Sequence, residues 1–192
     1  RFCQAGMFYR TVRARSVKSI IGQVRRGIRE AGWDSVTLLS LSAADHPCIT
    51  ELVTRLLPET RAAGVRLSFP SLRVDSGILP LLEELEEGKK SGLTFAVEAG
   101  SHRLRQVIGK KVDEEDLMRL VEEAYRRGWN MVKLYFMVGL PTETDEDIDE
   151  IARLVNRIAG LGRSLPGRRN VNIAVSPFVP KFHTPLAQAP FI

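Results

Sequence analysis

The sequence predicts an α/β fold built from repeated strand–helix units. Helix-like segments end in glycine, and each glycine leads into a short run of β-branched and aromatic residues. The units recur at roughly 30 residues, which is the length of a strand plus a crossover helix. Repeated right-handed units form either a barrel or a doubly wound sheet, and five strands are fewer than the eight of a complete (β/α)8 barrel.

Each predicted element has a local reason. Ser16, Asp113 and Thr144 are residue types that cap helix N-termini, and apolar residues recur behind each of them at helical spacing. Behind Thr144, three acidic residues favour the positive end of the helix dipole, and the apolar series begins with Ile148 and Ile151. The strands are continuous apolar runs, as expected of buried parallel strands. They are predicted at Val36–Leu39, Val65–Phe69, Leu93–Val97, Met131–Phe136 and Val171–Val175.

Length and composition indicate an ordinary globular protein. The chain has 192 residues, 44% hydrophobic and 27% charged, and we expect residues 1–192 to form a single domain. The sequence contains neither a signal peptide nor an apolar run of the ~18–20 residues that a membrane helix needs. Two cysteines are too few for a disulfide framework. We therefore expect a cytoplasmic protein with no membrane contact, and the start without Met suggests a piece of a longer chain.

The positive charge is concentrated near the start of the chain. The net charge is +5, and the basic residues there are Arg10, Arg13, Arg15, Lys18, Arg25, Arg26 and Arg29. Such a cluster is compatible with binding to nucleic acid or to an anionic substrate. The commoner explanation is a solvated helix face, because Arg25, Arg26 and Arg29 fall between the apolar positions of a helix. The charge alone leaves both interpretations open.

Functional residues of parallel α/β folds collect in the loops at the carboxyl ends of the strands. Glu98 directly follows an apolar run, where a carboxylate needs water, a ligand hydroxyl or a basic partner. Two interpretations stay open, namely a hydrogen bond to a ribose-like diol or an ion pair with Arg103 or Arg105. Ser101 opens the next helix, whose free amides can hold a carboxylate.

Other candidates lie in the later strands and loops. Lys133 lies inside an apolar strand and needs a partner or a route to the strand's open face, and Gly139 allows close backbone approach to a ligand. The structural alternatives are a salt bridge for Lys133 and a simple turn for Gly139. Three histidines in loops at the same predicted end, His46, His102 and His183, make a three-histidine metal site a further alternative.

Four segments together resemble the radical S-adenosylmethionine (radical SAM) enzymes. Residues 1–6 resemble the end of their C-x-x-x-C-x-x-C motif, with the aromatic Phe2 before its last cysteine, Cys3. Residues 98–105 are similar to the segment after the family's fourth strand, and residues 133–144 to the stretch along its fifth. Residues 176–181 are similar to the exit from its sixth strand. The match covers essentially the whole chain, in the family's order and spacing.

The resemblance implies a partial (β/α)6 barrel of the TIM type, with strands 2–6 in this chain and the first strand upstream of residue 1. It implies a 4Fe–4S cluster held by three thiolates and S-adenosylmethionine bound at the open iron. Reductive cleavage of that cofactor, with an electron from flavodoxin or ferredoxin, yields a 5′-deoxyadenosyl radical that abstracts hydrogen from a substrate. The nearest subgroup, bacterial proteins of unassigned substrate, carries an N-terminal cobalamin-binding-like domain, so cobalamin is expected upstream. Methylthiotransferases are more distant relatives.

The resemblance also assigns roles by position. Cys3 is expected to bind the cluster, Phe2 to lie near the adenine and Glu98 to bind the ribose, while Arg103 or Arg105 pairs with the methionine carboxylate. Ser40 and Ser42 border the methionine amine, and the backbone of residues 175–177 lines the adenine. The full set of expected cofactor-binding residues is Phe2, Ser40, Ser42, Glu98, Ser101, Arg103, Arg105, Lys133, Gly139, Val175, Ser176 and Pro177.

The chain departs from the family pattern in two places. The first two cysteines of the motif would precede residue 1, so this chain alone is expected to lack two of three ligands and to be inactive. Residues 43–45 are Ala-Ala-Asp where many members have Gly-Gly-Glu, which leaves the amine contact open. A non-catalytic basic RNA-binding barrel and an RNA- or protein-methylthiotransferase-like enzyme are alternative functions. The sequence does not identify the substrate.

Overall fold

The computed structural model describes residues 1–41, 43–68 and 92–191. They divide into two compact units, a large unit with residues 1–11 and 92–191 and a small unit with residues 12–41 and 43–68. The single-domain expectation stays a prediction. In chain order the elements are α1 (Ala5–Phe8), α2 (Val17–Ala31), β1 (Ser35–Thr37), a 3-10 turn (Ala43–Asp45), α3 (Ile49–Ala62), β2 (Arg66–Ser68), β3 (Leu93–Glu98), α4 (His102–Ile108), α5 (Glu114–Arg126), β4 (Met131–Val138), α6 (Asp145–Ser164) and β5 (Asn170–Pro177).

The small unit packs α2 and α3 with a parallel pair of strands, β1 and β2. Helix α2 begins where the Ser16 hydroxyl accepts a hydrogen bond from the Ser19 amide (3.2 Å), and it ends at Gly32, whose φ of 64° suits a residue without Cβ. Arg25 donates two hydrogen bonds to the Glu59 carboxylate (2.6 and 2.5 Å) and so links the two helices. The buried core residues are Val17, Ile21, Val24, Val36, Leu52, Leu56 and Val65.

The large unit contains a parallel three-stranded sheet in the order β3–β4–β5. Successive side chains alternate between the two faces, so Phe95 lies beside Leu134 on one face and Thr94 beside Lys133 on the other. The residues of β3 and β4 on the first face are buried, as are Leu117 and Val121 of α5, whereas Ile173 and Val175 on the same face of β5 are about half exposed. The second face is partly open around Lys133. A register shift between Ala96 and Glu98 bends the end of β3.

The helices begin at the predicted residues, but the buried side of α6 differs from the prediction. Ser16, Asp113 and Thr144 are the N-cap residues of α2, α5 and α6, as predicted. Ile148 was predicted to open the apolar series of α6, yet it is 42% exposed. The position before it, Asp147, faces inward instead, because its carboxylate is held by polar partners described below.

Strands form in all five predicted segments, and the pairings described between them are parallel. β1 ends at Thr37, two residues before the predicted Leu39, and Phe69 lies outside the described residues. The α/β class is therefore correct, whereas closure into a partial (β/α)6 barrel stays a prediction. Within the described ranges, none of the helices combines the length and the apolar character that crossing a membrane requires.

Candidate functional site

The loops after β3, β4 and β5 meet in one apolar cluster at the carboxyl edge of the large unit's sheet. Ala99, Leu140 and Phe178, one residue from each loop, are buried in this cluster together with Leu104 and Ile108 of α4. Carboxyl ends of parallel strands meet at the same edge, so this convergence follows from the topology. It is the edge at which α/β folds place their ligands.

Phe2 brings the N-terminal segment to this edge. Its ring is partly buried against the same cluster. Gln4 donates a side-chain hydrogen bond to the Phe182 carbonyl (3.1 Å), and the ring of Phe8 stands edge-on to that of His183, with centroids 5.9 Å apart. Cys3 lies between the Phe2 and Gln4 anchors, and its thiol is exposed and free of a disulfide.

Glu98 is the last residue of β3 and adopts an unusual backbone conformation, with φ at 73°. A non-glycine residue there costs ~1–3 kcal/mol and persists only where the surroundings hold it, which is typical of functional sites. Its side chain is 15% exposed, and the Lys110 ammonium lies 3.3 Å from its carboxylate. The ion-pair interpretation named Arg103 or Arg105 as the partner; the structure places Lys110 there instead.

The side chain of Arg103 is hydrogen-bonded to the segment that follows β4. Its guanidinium donates to the Asp147 carboxylate and to the Thr142 carbonyl (2.7 Å) and hydroxyl (3.2 Å). The same carboxylate accepts a hydrogen bond from the Ser101 hydroxyl, which itself accepts from the Leu104 amide (3.0 Å). Ser101 and Arg103, both predicted to bind the cofactor, are thus bonded to a neighbouring helix.

Asp147 is the centre of this network. It is 5% exposed, and its carboxylate also accepts hydrogen bonds from the Thr144 amide (2.9 Å) and hydroxyl (3.2 Å). Burial alone would raise the pKa of Asp147, but the hydrogen bonds from Ser101, Arg103 and Thr144 outweigh it and lower that pKa to about 2. We call Ser101, Arg103, Thr144 and Asp147 the Asp147 network.

Arg105 lies inside the protein and supports the β3–α4 loop from below. The residue is 1% exposed, and its guanidinium donates to the carbonyls of Ala99 (3.1 Å) and Gly100 (2.6 Å). Desolvation by burial lowers the pKa of Arg105, and Glu114, 4.0 Å away, only partly offsets that effect. These hydrogen bonds tie Arg105 to the backbone of the β3–α4 loop.

Gly100 allows this loop to lie directly on α6. A Cβ at this position would be 2.4 Å from the Ile151 amide nitrogen and 2.8 Å from the Asp147 carbonyl oxygen. Both neighbours are backbone atoms, which cannot rotate away as a side chain can. Glycine is therefore required here by close packing.

The other candidates in the large unit lie along β4 and β5. The Lys133 ammonium lies 4.8 Å from the ring centroid of Tyr135, two residues along the same face. Gly139, with φ at 80°, donates its amide to the Glu143 carboxylate (2.5 Å). The backbones of Val175, Ser176 and Pro177 pair with residues 136–138 of β4, and Val175 is 48% exposed.

The two serine candidates, Ser40 and Ser42, are not among the residues of the large unit. Ser40 follows β1 in the small unit, and Ser42 lies outside the described residues. The three histidines are each engaged separately: His46 bonds the Arg15 carbonyl (2.8 Å), His102 bonds Gln106 (2.8 Å) and His183 contacts Phe8. In the part of the chain that the structure describes, no three His, Cys, Asp or Glu side chains form a metal-binding group.

Sequence similarity decides the family. The sequence profile of the radical SAM superfamily matches residues 1–155. The chain belongs to the radical SAM superfamily. The uncharacterized protein MJ0966 of Methanocaldococcus jannaschii is 38% identical over 184 residues, which cover 96% of this chain and 38% of that protein. The ribosomal protein uS12 methylthiotransferase RimO of Thermotoga sp. strain RQ2 is 23% identical over 167 residues, or 82% of this chain and 38% of RimO.

The fold of this radical SAM chain is similar to that of a solved member. Coproporphyrinogen III oxidase (HemN) from Escherichia coli, described as a radical SAM enzyme, superposes with a TM-score of 0.59 at 17% identity. The superposition covers 89% of this chain and 38% of HemN. The chain thus spans little more than a third of the length of each of these three proteins.

Two residues of the site were missed by sequence reasoning. Lys110 is brought back toward Glu98 because Gly109, with φ at 72°, ends α4 and reverses the chain. Asp147 was interpreted only as a helix-dipole residue, although an acidic side chain three residues after the N-cap Thr144 is the spacing of a capping box. That spacing could have predicted its contact with Thr144, but not its contacts with Ser101 and Arg103.

Proposed function

We propose that this chain is the part of a radical SAM enzyme that holds S-adenosylmethionine beside a 4Fe–4S cluster, with Cys3 as one cluster ligand. The supporting observation is the packing of Phe2 with Ala99, Leu140 and Phe178, which anchors the chain next to Cys3 at the carboxyl edge of the sheet. An exposed thiol free of a disulfide is the soft donor that iron requires. The donor set fits one ligand, and we assign the other two to residues upstream.

The chemistry that a bound cluster supplies is the one-electron cleavage of S-adenosylmethionine to a 5′-deoxyadenosyl radical, with flavodoxin or ferredoxin as the reductant. The residues of this chain bind and orient the cofactor and exclude water from it. The overall reaction of the full-length protein is then an oxidation or a group transfer, according to its substrate. The proposal also includes a cytoplasmic location and a cobalamin-binding domain upstream. No residue of this chain is assigned to either.

Glu98 and Lys110 are the proposed contacts to S-adenosylmethionine within the large unit. The Glu98 carboxylate can accept both hydroxyls of a ribose, and the Lys110 ammonium beside it is a partner for the methionine carboxylate. Lys110 replaces Arg103 and Arg105 in that role, because Arg103 is bonded to Asp147 and Arg105 is buried. Ser101, Arg103 and Arg105 are then positioning residues that fix the loop carrying Glu98.

The remaining candidates keep their proposed roles. Phe2 and the backbone of residues 175–177 border the adenine, and Gly139 gives the backbone room to approach it. Lys133 lies on the sheet face that is partly open, beside Tyr135, where it can meet an anionic group of cofactor or substrate. Ser40 and Ser42 remain the proposed neighbours of the methionine amine.

The test is reductive cleavage by the full-length protein after anaerobic reconstitution with iron and sulfide. With dithionite and S-adenosylmethionine, we expect 5′-deoxyadenosine, measured by chromatography. Lys110→Ala should raise the KM for S-adenosylmethionine at least tenfold, as expected for loss of a charge-assisted contact, whereas Lys111→Ala, its exposed neighbour, should leave the KM unchanged. Absence of 5′-deoxyadenosine from a protein with a full cluster would contradict the proposal, and an equal effect of both lysine variants would contradict the role of Lys110.

A methylthiotransferase-like activity is a second candidate, favoured by the similarity to RimO. It predicts that deleting the gene removes a methylthio group from an RNA or a ribosomal protein, which mass spectrometry of both fractions would detect. If no such group is lost, this candidate fails while the cofactor chemistry proposed above stands.

A further inference from the structure

The solvent-facing side of α2 in the small unit carries a line of cations. Lys18, Arg26 and Arg29 follow one another along the helix with Gly22 between the first two, at spacings of four, four and three residues. All three cations are exposed. At 1.5 Å per residue the line is roughly 16 Å long. We call Lys18, Arg26 and Arg29 the α2 cation line.

The α2 cation line borders a shallow, wide-open groove of about 540 Å³, whose described lining residues all belong to α2 and its N-cap. The groove's other described lining residues are small or uncharged, namely Ser16, Ser19, Gly22 and Gln23. A Cβ on Gly22 would meet nothing within 4 Å outside its own helix backbone, so the surface of α2 is open there. Neither a carboxylate nor an aromatic ring is among the described residues that line it.

Among the described residues, two of the three cations of this line have no acidic partner. No acidic residue occurs before Glu30 in the sequence. Arg25 pairs with Glu59 and Arg29 with Glu30, but in the described ranges Lys18 and Arg26 form no ion pair. Exposed helical arginines of the large unit differ: Arg119, Arg126 and Arg153 each pair with an acidic residue one turn away.

We propose that this groove binds the phosphate backbone of a nucleic acid. Arginine, lysine, serine and glutamine side chains are the usual phosphate and sugar contacts, and they carry little sequence information. Protein interfaces have aromatic and apolar centres, which the described lining lacks. Single-strand sites need aromatic platforms for base stacking, so the expected ligand is a duplex. This inference concerns the small unit and does not rest on the proposed cofactor chemistry.

The test measures binding of a labelled 20-base-pair RNA duplex to the full-length protein by fluorescence anisotropy over a series of salt concentrations. We compare Lys18→Ala/Arg26→Ala/Arg29→Ala with the charge-matched control Arg119→Ala/Arg126→Ala/Arg153→Ala. Alanine preserves a helix, so both variants should fold, which circular dichroism checks. Each phosphate contact contributes about 0.9 to the salt slope, so the first variant should lose at least tenfold in affinity and about 2 in slope, while the control stays near wild type.

Four outcomes would overturn the proposal. The first is failure of the wild-type protein to bind the duplex, and the second is an equal loss of affinity in both triple variants. The third is equally tight binding of poly-glutamate, which would indicate an acidic protein as the partner instead. Matching DNA-duplex and single-stranded RNA probes identify the form of nucleic acid, and preference for the single strand would contradict backbone-only recognition of a duplex.

Discussion

The arginines of the β3–α4 loop and the cations of α2 differ in what surrounds them. Arg103 and Arg105 lie at the expected ligand edge, yet one is bonded to Asp147 and the other is buried beneath two carbonyls. Lys18 and Arg26 lie on a plain helix face, and among the described residues neither forms an ion pair. Proximity to a ligand edge is therefore weaker evidence for ligand binding than the absence of a structural partner.

The largest predicted effect on stability concerns the residues that hold the β3–α4 loop. Asp147→Ala should lower the free energy of unfolding by about 2–4 kcal/mol, because it removes several hydrogen bonds to one charged group and leaves Ser101 and Arg103 without their partner. Urea unfolding followed by circular dichroism measures this difference. A loss below ~0.5 kcal/mol, the range of neutral surface substitutions, would mean that the Asp147 network does not hold the loop.

Replacing two glycines with alanine should give the next largest changes in stability, and the two changes should have opposite signs. Gly100→Ala should destabilise the protein by about 1–3 kcal/mol, because its Cβ meets backbone atoms of α6. Gly22→Ala, on the open face of α2, should stabilise it by up to ~1 kcal/mol through helix propensity. Thermal unfolding of both variants provides the measurement. Equal shifts in the same direction would show that the packing of the two regions does not differ.

The pH dependence of stability provides a smaller effect. The folded-state pKa of Asp147 is about 2, below its ordinary value of 3.8, so its ionised form stabilises the folded protein. That contribution is complete above pH ~4 and is lost as the pH falls toward 2. The wild-type protein should therefore lose more stability than Asp147→Asn between pH 4 and pH 2. Identical acid sensitivity in chemical denaturation at the two pH values would contradict the assigned network.

The smallest effect is expected for Arg103. Its side chain is 49% exposed, so solvent screens its bond to Asp147, and Arg103→Lys should cost only about 0.5–1.5 kcal/mol. The variant retains a cation but not the forked contact with Thr142. Urea unfolding measures the cost. A loss exceeding that of Asp147→Ala would make Arg103, rather than Asp147, the centre of the network.

The sequence predicted elements well because their signals are local. The caps at Ser16, Asp113 and Thr144 depend on a few neighbouring residues, and the strands depend on continuous apolar runs. The family motifs likewise identified Cys3 and Glu98 as candidates. The assignment of Arg103 or Arg105 to the methionine carboxylate stays a prediction, because a positive charge in a loop does not show whether the side chain is buried or bonded to a neighbour.

The partners of these side chains depend on contacts between distant residues. Asp147 contacts Ser101, 46 residues away, and Lys110 reaches Glu98 only because of the left-handed turn at Gly109. Neither pairing follows from helical or strand periodicity. The Ile148 error has the same origin, since the polar contacts of Asp147 set which side of α6 faces inward.

The central claim is that Cys3 is a cluster ligand, and its most direct test is the iron content of two cysteine variants. Full-length wild-type protein, Cys3→Ser and Cys48→Ser are reconstituted anaerobically, and iron, sulfide and visible absorbance are measured. Cys48 is also an exposed thiol, but it lies in the small unit at the start of α3, so its variant is the matched control. We expect Cys48→Ser to retain the wild-type cluster and Cys3→Ser to lose it. A full cluster in Cys3→Ser, or its loss in Cys48→Ser alone, would contradict the account.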